Sequence, residues 1–182
     1  MFYPNIDTVV WFYGIHQPLY EKIPHVTFVE GLPENFKDYI KGNTLFVIDD
    51  LMTECANDKR LTMLFTKGCH HLNLSVIFIT QNLFYRGTQI RDISLNSQYM
   101  ILFKNRRDLS QIMHLGRQLY PGRSKFFQEA YENATRSPYS YLAIDLRNET
   151  PEDARLRTRI LPGEIQYIYK PKKLIKKQKS IF

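Results

Sequence analysis

The 182 residues, 43% of them hydrophobic and 24% charged, suffice for one well-cored domain and exclude wholesale disorder. Lysine and arginine number 25 against 18 aspartates and glutamates, a formal charge of +7. Six of those lysines and no acid lie between Lys170 and Phe182, so the first 169 residues hold 19 bases against 18 acids and the basic balance is mostly a tail.

Along the chain, Asp7 to Tyr13 is β-branched and aromatic and stops at Gly14, the pattern of a buried strand. Phe12 and its aromatic neighbours Trp11 and Tyr13 read as core rather than as a base-stacking site, and Pro18 forbids continuation of the strand. Val26 to Glu30 is a second strand. Pro33 to Ile40 suggests a short helix with Phe36, Tyr39 and Ile40 on one face and Gly42 as its stop. Leu45-Phe-Val-Ile-Asp49-Asp50 is an apolar run ending in two acids. Asp58 to Leu72 reads as a helix, with His70 and His71 at its end, and Leu74 to Ile79 as a strand ending in Thr80, Gln81 and Asn82. A polar connection follows from Tyr85 to Ser97. Tyr99 to Phe103 is again a strand, Leu109 to Leu119 a helix, Ser124 to Ala134 a helix capped by Ser124, and Tyr139 to Leu146 a strand. From Thr150 the chain is charged. Apolar strands alternating with helices imply an α/β fold with a mostly parallel sheet covered on both faces.

Cys55 and Cys69 exclude a disulfide framework and cannot make a zinc site alone; they read as reduced thiols. No apolar run approaches the roughly 18–20 residues of a membrane span, and the N-terminus lacks the features of a secretory signal. The expectation is a soluble intracellular chain with no membrane partner.

In parallel α/β sheets, ligands bind beyond the carboxyl ends of the strands. Two strands separated by one crossover helix end there in polar groups: Asp49-Asp50, and Thr80-Gln81-Asn82. Four apolar residues before an acid pair match the Walker B pattern, in which the first acid holds Mg²⁺ and the second orients or deprotonates the attacking water. A plain strand end with two solvated acids has the same sequence.

The segments Leu45-Phe-Val-Ile-Asp-Asp-Leu-Met52, Phe65-Thr-Lys-Gly-Cys-His-His-Leu-Asn73 and Val76-Ile-Phe-Ile-Thr-Gln-Asn-Leu-Phe84 together resemble the packaging ATPases of large DNA viruses and Maverick/adintovirus-type elements. These are relatives of the FtsK–HerA motors and of the poxvirus-type packaging ATPase. The resemblance, from Asp7 to Arg147, implies a P-loop NTPase-like core and a homo-oligomeric ring. Such a ring hydrolyses ATP with Mg²⁺ to drive double-stranded DNA into a capsid through its vertex. It implies Asp49 as the Mg²⁺ acid, Asp50 as the catalytic acid, Gln81 as the sensor, and Thr80 and Asn82 beside the nucleotide.

No G-x-x-x-x-G-K-[ST] occurs in the chain; Lys41-Gly42-Asn43-Thr44 has the wrong order and precedes a strand. A P-loop needs backbone N–H groups around the phosphates and a lysine reaching them. In the family that loop precedes the Asp7 strand, so the first strand–loop–helix unit is expected to be missing by truncation. The chain alone then binds ATP weakly or takes no cofactor. Ring motors complete a site with an arginine from the next subunit; Arg86, Arg91, Arg106 and Arg107 are candidates, with Arg106 and Arg107 preferred at a strand's carboxyl end. The expected organisation is an incomplete ATPase core over 1–150, a charged extension over 151–169 and a basic tail over 170–182. In the tail, Lys172, Lys173, Lys176 and Lys177 suit DNA phosphates or nuclear import; a virion location is the alternative. A non-catalytic DNA-binding or ring-interaction protein derived from such an ATPase is the competing expectation, and an unrelated doubly wound nucleotide-binding protein a third.

Overall fold

A computed structural model describes residues 5–56, 58–68, 72–83 and 88–172. The chain divides into two compact units, one up to Ser97 and one from Gln98.

The first unit is built on four strands, β1 (Thr8–Tyr13), β2 (Val26–Glu30), β3 (Thr44–Asp49) and β4 (Leu74–Ile79), all parallel in the order β2-β1-β3-β4. Alternation along each strand divides its side chains between two faces. One face carries Val10, Phe12, Phe46, Ile48 and Leu74, all buried. Onto it pack α1 (Met52–Cys55), α2 (Lys59–Met63) and α3 (Thr88–Asn96) through Cys55, Leu61, Ile90 and Ile93. Phe12 anchors this core edge-on to Phe36, Tyr39 and Phe46. The opposite face carries Trp11, Phe28, Val47 and Asp49, and a 3₁₀ turn at Tyr20–Lys22 lays Tyr20 flat on Phe28 at 4.6 Å. The described helices of this unit therefore cover one face of the parallel sheet, where the sequence pattern implied both.

Other departures are local. Phe36–Tyr39 forms a 3₁₀ turn capped by Asn35 in place of a helix over 33–40, since Ile40 already returns to extended backbone. Asp58 caps α2 as its position suggests, accepting from the Arg60 N–H. The α-helical turns end at Met63, however, and Leu64–Gly68 continues as a wider π-helical turn. Cys69, His70 and His71 lie outside the described residues. Helix α3 falls in the segment assigned to a polar connection; its apolar residues are Ile90 and Ile93, which are buried, and Leu95, which is exposed, too few to give a clear 3.6 period.

The second unit is an antiparallel sheet, β5 (Tyr99–Phe103), β6 (Tyr141–Asp145), β7 (Leu156–Thr158) and β8 (Tyr167–Ile168), in sequential order. Between β5 and β6 run two helices, α4 (Leu109–Leu119) and α5 (Ser124–Ala134). That pair explains the departure from the parallel expectation. One helix carries the chain back for a parallel strand, whereas two return it to the end it left, so β6 must run antiparallel. Asp108 caps α4 by accepting from the Gln111 N–H, while Ser124 is the first residue of α5 and not its cap. The two helices touch where a Cβ on Gly116 would lie 2.7 Å from the Phe127 ring. Leu102, Leu142, Ile144 and Leu156 are buried on the helix side of this sheet. Residues 151–169 thus supply β7 and β8.

No helix among the described residues is long and apolar enough to cross a membrane.

Candidate functional site

The register of β3 against β4 pairs Asp49 with Ile79, so Asp50 and Thr80 leave the sheet side by side at its carboxyl edge. The register of β1 against β3 pairs Tyr13 with Asp49, and Gly14 continues that approach by donating its N–H to the Asp49 carbonyl at 3.3 Å. A Cβ on Gly14 would stand 2.9 Å from the Asp50 carbonyl oxygen, so only glycine lets the two strand ends converge this closely.

Asp49 ends on the aromatic face. Its Oδ2 accepts from Trp11 Nε1 and from the Tyr20 hydroxyl, each at 3.3 Å. Tyr20 is buried against Trp11, Tyr13, His16 and Phe28, and its phenol is held above its usual pKa by burial first and by the Asp49 charge second. It therefore stays a donor to Asp49 throughout the physiological range. Asp50 is exposed and takes left-handed backbone, φ 56°, a conformation that Asp tolerates better than most residues. The two acids thus differ in kind: Asp49 is fixed by two aromatic donors, and Asp50 stands in solvent.

The β4 end is held by its own threonine. Thr80 Oγ1 donates to Met52 Sδ at 2.8 Å and lies 3.0 Å from the Asn82 carbonyl, and the Asn82 N–H donates back to it at 3.2 Å. The hydroxyl is thereby committed to bracing β4 against the residues that follow Asp50. Gln81 is exposed on the turn. Asp49, Asp50, Thr80, Gln81 and Asn82 are thus brought to one sheet edge.

Arg106 and Arg107 belong to the second unit, both exposed after β5, and the Arg107 N–H donates to Asn105 Oδ1. Arg91 is exposed on α3, and Arg86 lies outside the described residues. Lys172 is exposed; Lys173, Lys176 and Lys177 lie outside the described residues. Cys55 is buried, and burial pushes its thiol up to about 12, so it packs as an apolar side chain without thiolate chemistry.

The fit to Mg²⁺ and ATP is uneven. No group of three or more His, Cys, Asp or Glu side chains converges among the described residues. Asp49 suits a single-carboxylate contribution to Mg²⁺, because both of its donors sit on Oδ2. The sequence holds no glycine-rich loop with its lysine of the kind that cradles a triphosphate in P-loop proteins.

Compared with known proteins, the chain matches no family model, no curated protein and no solved structure.

Sequence reasoning missed Trp11 and Tyr20 as partners of Asp49. Trp11 carries a signal in retrospect: it is two residues before the strand end, on the same face as the residue paired with Asp49. Tyr20 carries none, because its place depends on how residues 14–25 fold back over the sheet.

Proposed function

We propose that this chain is the carboxylate-bearing part of a DNA-translocating motor ATPase of the viral genome-packaging type, with its phosphate-binding loop supplied from outside these 182 residues. The observation that carries this is the parallel pairing of β3 with β4, which sets an aspartate pair beside a Thr-Gln-Asn turn at the carboxyl edge of the sheet. In that role Asp49, held by Trp11 and Tyr20, contributes to Mg²⁺, and exposed Asp50 faces the water. Gln81 reports on the nucleotide, and Arg106 or Arg107 serves a neighbouring subunit of a ring. Double-stranded DNA, a capsid vertex, and a nuclear or virion location belong to the same proposal.

A second function is favoured by the missing loop together with the division of charge. Residues from Gln98 onward hold 17 bases against 8 acids, while the first 97 hold 8 against 10. That distribution suits a non-catalytic nucleic-acid-binding protein that kept an ATPase-like sheet.

Titration of the 182-residue chain with a fluorescent ATP analogue and Mg²⁺ tests the assignment of the loop. The expected result is no saturable binding in the micromolar range. Micromolar binding by this chain means that its own residues cradle the phosphates, and the proposed division of the site fails.

A further inference from the structure

The sheet of the second unit has two unlike faces. Helix α5 packs on β6 and β7, with α4 against it, on the side of Leu102, Leu142 and Ile144, which are buried. The other face carries Tyr99, Ile101 and Phe103 from β5, which remain 50%, 41% and 58% exposed. Three large apolar side chains in a row on an open sheet face are costly in water unless something covers them.

At its Phe103 end this row is bordered by cations. A cleft of about 510 Å³ opens at the end of β5, lined by Phe103, Lys104, Arg106, Arg136 and Tyr139 together with the loop 137–140, and no acidic residue lines it. No ion pair holds Lys104, Arg106 or Arg136 among the described residues. Tyr139 is 94% exposed and sits at φ 59°, a conformation unfavourable for a bulky side chain and characteristic of ligand-contacting loops. At the other end of β5 the Arg147 guanidinium lies over the Tyr99 ring, 5.1 Å from its centre. Asp145, the carboxylate beneath, is taken up by Arg147 at 2.9 Å and by Arg157 at 3.6 Å, and Glu149 approaches Arg147 at 3.3 Å.

We propose that this open face, from the Lys104–Arg106–Arg136 cleft along Phe103 and Tyr99 to Arg147, binds single-stranded nucleic acid. Aromatic rings on an open sheet accept unpaired bases by stacking, two or three at a time, and unpaired cations beside them take the phosphates. Phe103 and Tyr99 are roughly 13 Å apart along the strand, four residues at about 3.3 Å each, which leaves room for a short run of bases between them. A duplex keeps its bases stacked on one another and cannot use the rings. The site shares with the motor proposal the class of partner and Arg106; it needs neither the acid pair nor ATP.

The test uses the full chain without nucleotide and reads fluorescence anisotropy of a labelled oligothymidine and of the matching duplex at several salt concentrations. The single strand is expected to bind more tightly than the duplex. Phe103→Ala is expected to weaken it roughly five- to a hundredfold, the range of one lost base stack. Arg106→Gln combined with Arg136→Gln, both exposed positions that do not threaten folding, is expected to lower the salt slope by about 1.4, two phosphates at about 0.7 each. A chain with Lys172, Lys173, Lys176, Lys177 and Lys179 all changed to Gln separates the tail and is expected to keep the preference for the single strand. Equal affinity for both oligonucleotides, an unchanged Phe103→Ala variant, an unchanged slope in the double arginine variant, or loss confined to the tail variant each overturns the proposal. Single-strand preference in this chain, with no ATP hydrolysis even when the chain is extended at its N-terminus by the sequence encoded upstream, supports this site while refuting the motor.

Discussion

Tyr20 closes over the end of β3, its hydroxyl donating to Asp49 Oδ2 at 3.3 Å while its ring lies flat on Phe28. The donor and the stack are separable. Tyr20→Phe is expected to keep the ring and lose the donor, costing about 0.5–1.5 kcal/mol, the net worth of one hydrogen bond. Tyr20→Ala also removes the ring and is expected to cost about 3–5 kcal/mol. Denaturant midpoints of the two variants measure the difference; equal losses would mean that the hydroxyl, and not the ring, holds residues 14–25 onto the sheet.

Gly14 makes the convergence of β1 and β3 possible. In Gly14→Ala the new methyl meets the Asp50 carbonyl at 2.9 Å, a backbone atom that cannot swing aside. The expected loss is about 1–3 kcal/mol, as for other overpacked sites. A lower denaturant midpoint at unchanged m checks it, because the strain lies in the folded state. A midpoint equal to that of the parent chain would show that the strand ends are more loosely joined than the backbone geometry implies.

Much of the strand inventory was legible because each strand is a short apolar run with a punctuated end: Gly14 after β1, Asp49-Asp50 at the end of β3, Thr80 after β4. The direction of β6 was not, because direction depends on how many helices intervene and on how they stack, and Gly116 against Phe127 is a tertiary contact. Helix α3 was not legible, because Ile90, Ile93 and Leu95 are too few to mark a helical period. The acid pair and the Thr-Gln-Asn turn were visible as types, and their adjacency follows from strand pairing. The aromatic donors to Asp49 and the open face of β5 were invisible: Tyr99, Ile101 and Phe103 alternate with Met100 and Leu102 in an unbroken apolar run that says nothing of which face is covered.

Asp145 ties the second sheet together. Burial, the largest single influence, opposes its charge, but hydrogen bonds from Arg147 and Thr150 and the Arg147 charge together outweigh it and hold the carboxyl below its ordinary value. A lowered folded-state pKa stabilises above the unfolded value of about 3.9 and is lost as pH falls below that toward the folded value. Because Arg147 is partly exposed, Asp145→Asn is expected to cost only about 1–2 kcal/mol at pH 7. Its cost is expected to shrink at pH 3. Denaturant titrations at pH 7, 5 and 3 check this; a cost that stays constant to pH 3 would place the stabilisation in shape and not in charge.

The most direct test of the motor assignment is turnover. Phosphate release from ATP is measured with DNA present, on a chain extended at its N-terminus by the sequence encoded upstream and on its Asp50→Asn variant. Asparagine accepts the left-handed backbone of position 50, so the fold is preserved. The expected result is hydrolysis by the extended chain, and loss of turnover with nucleotide still bound in Asp50→Asn. Hydrolysis unaffected by Asp50→Asn would contradict the assignment of the acid pair.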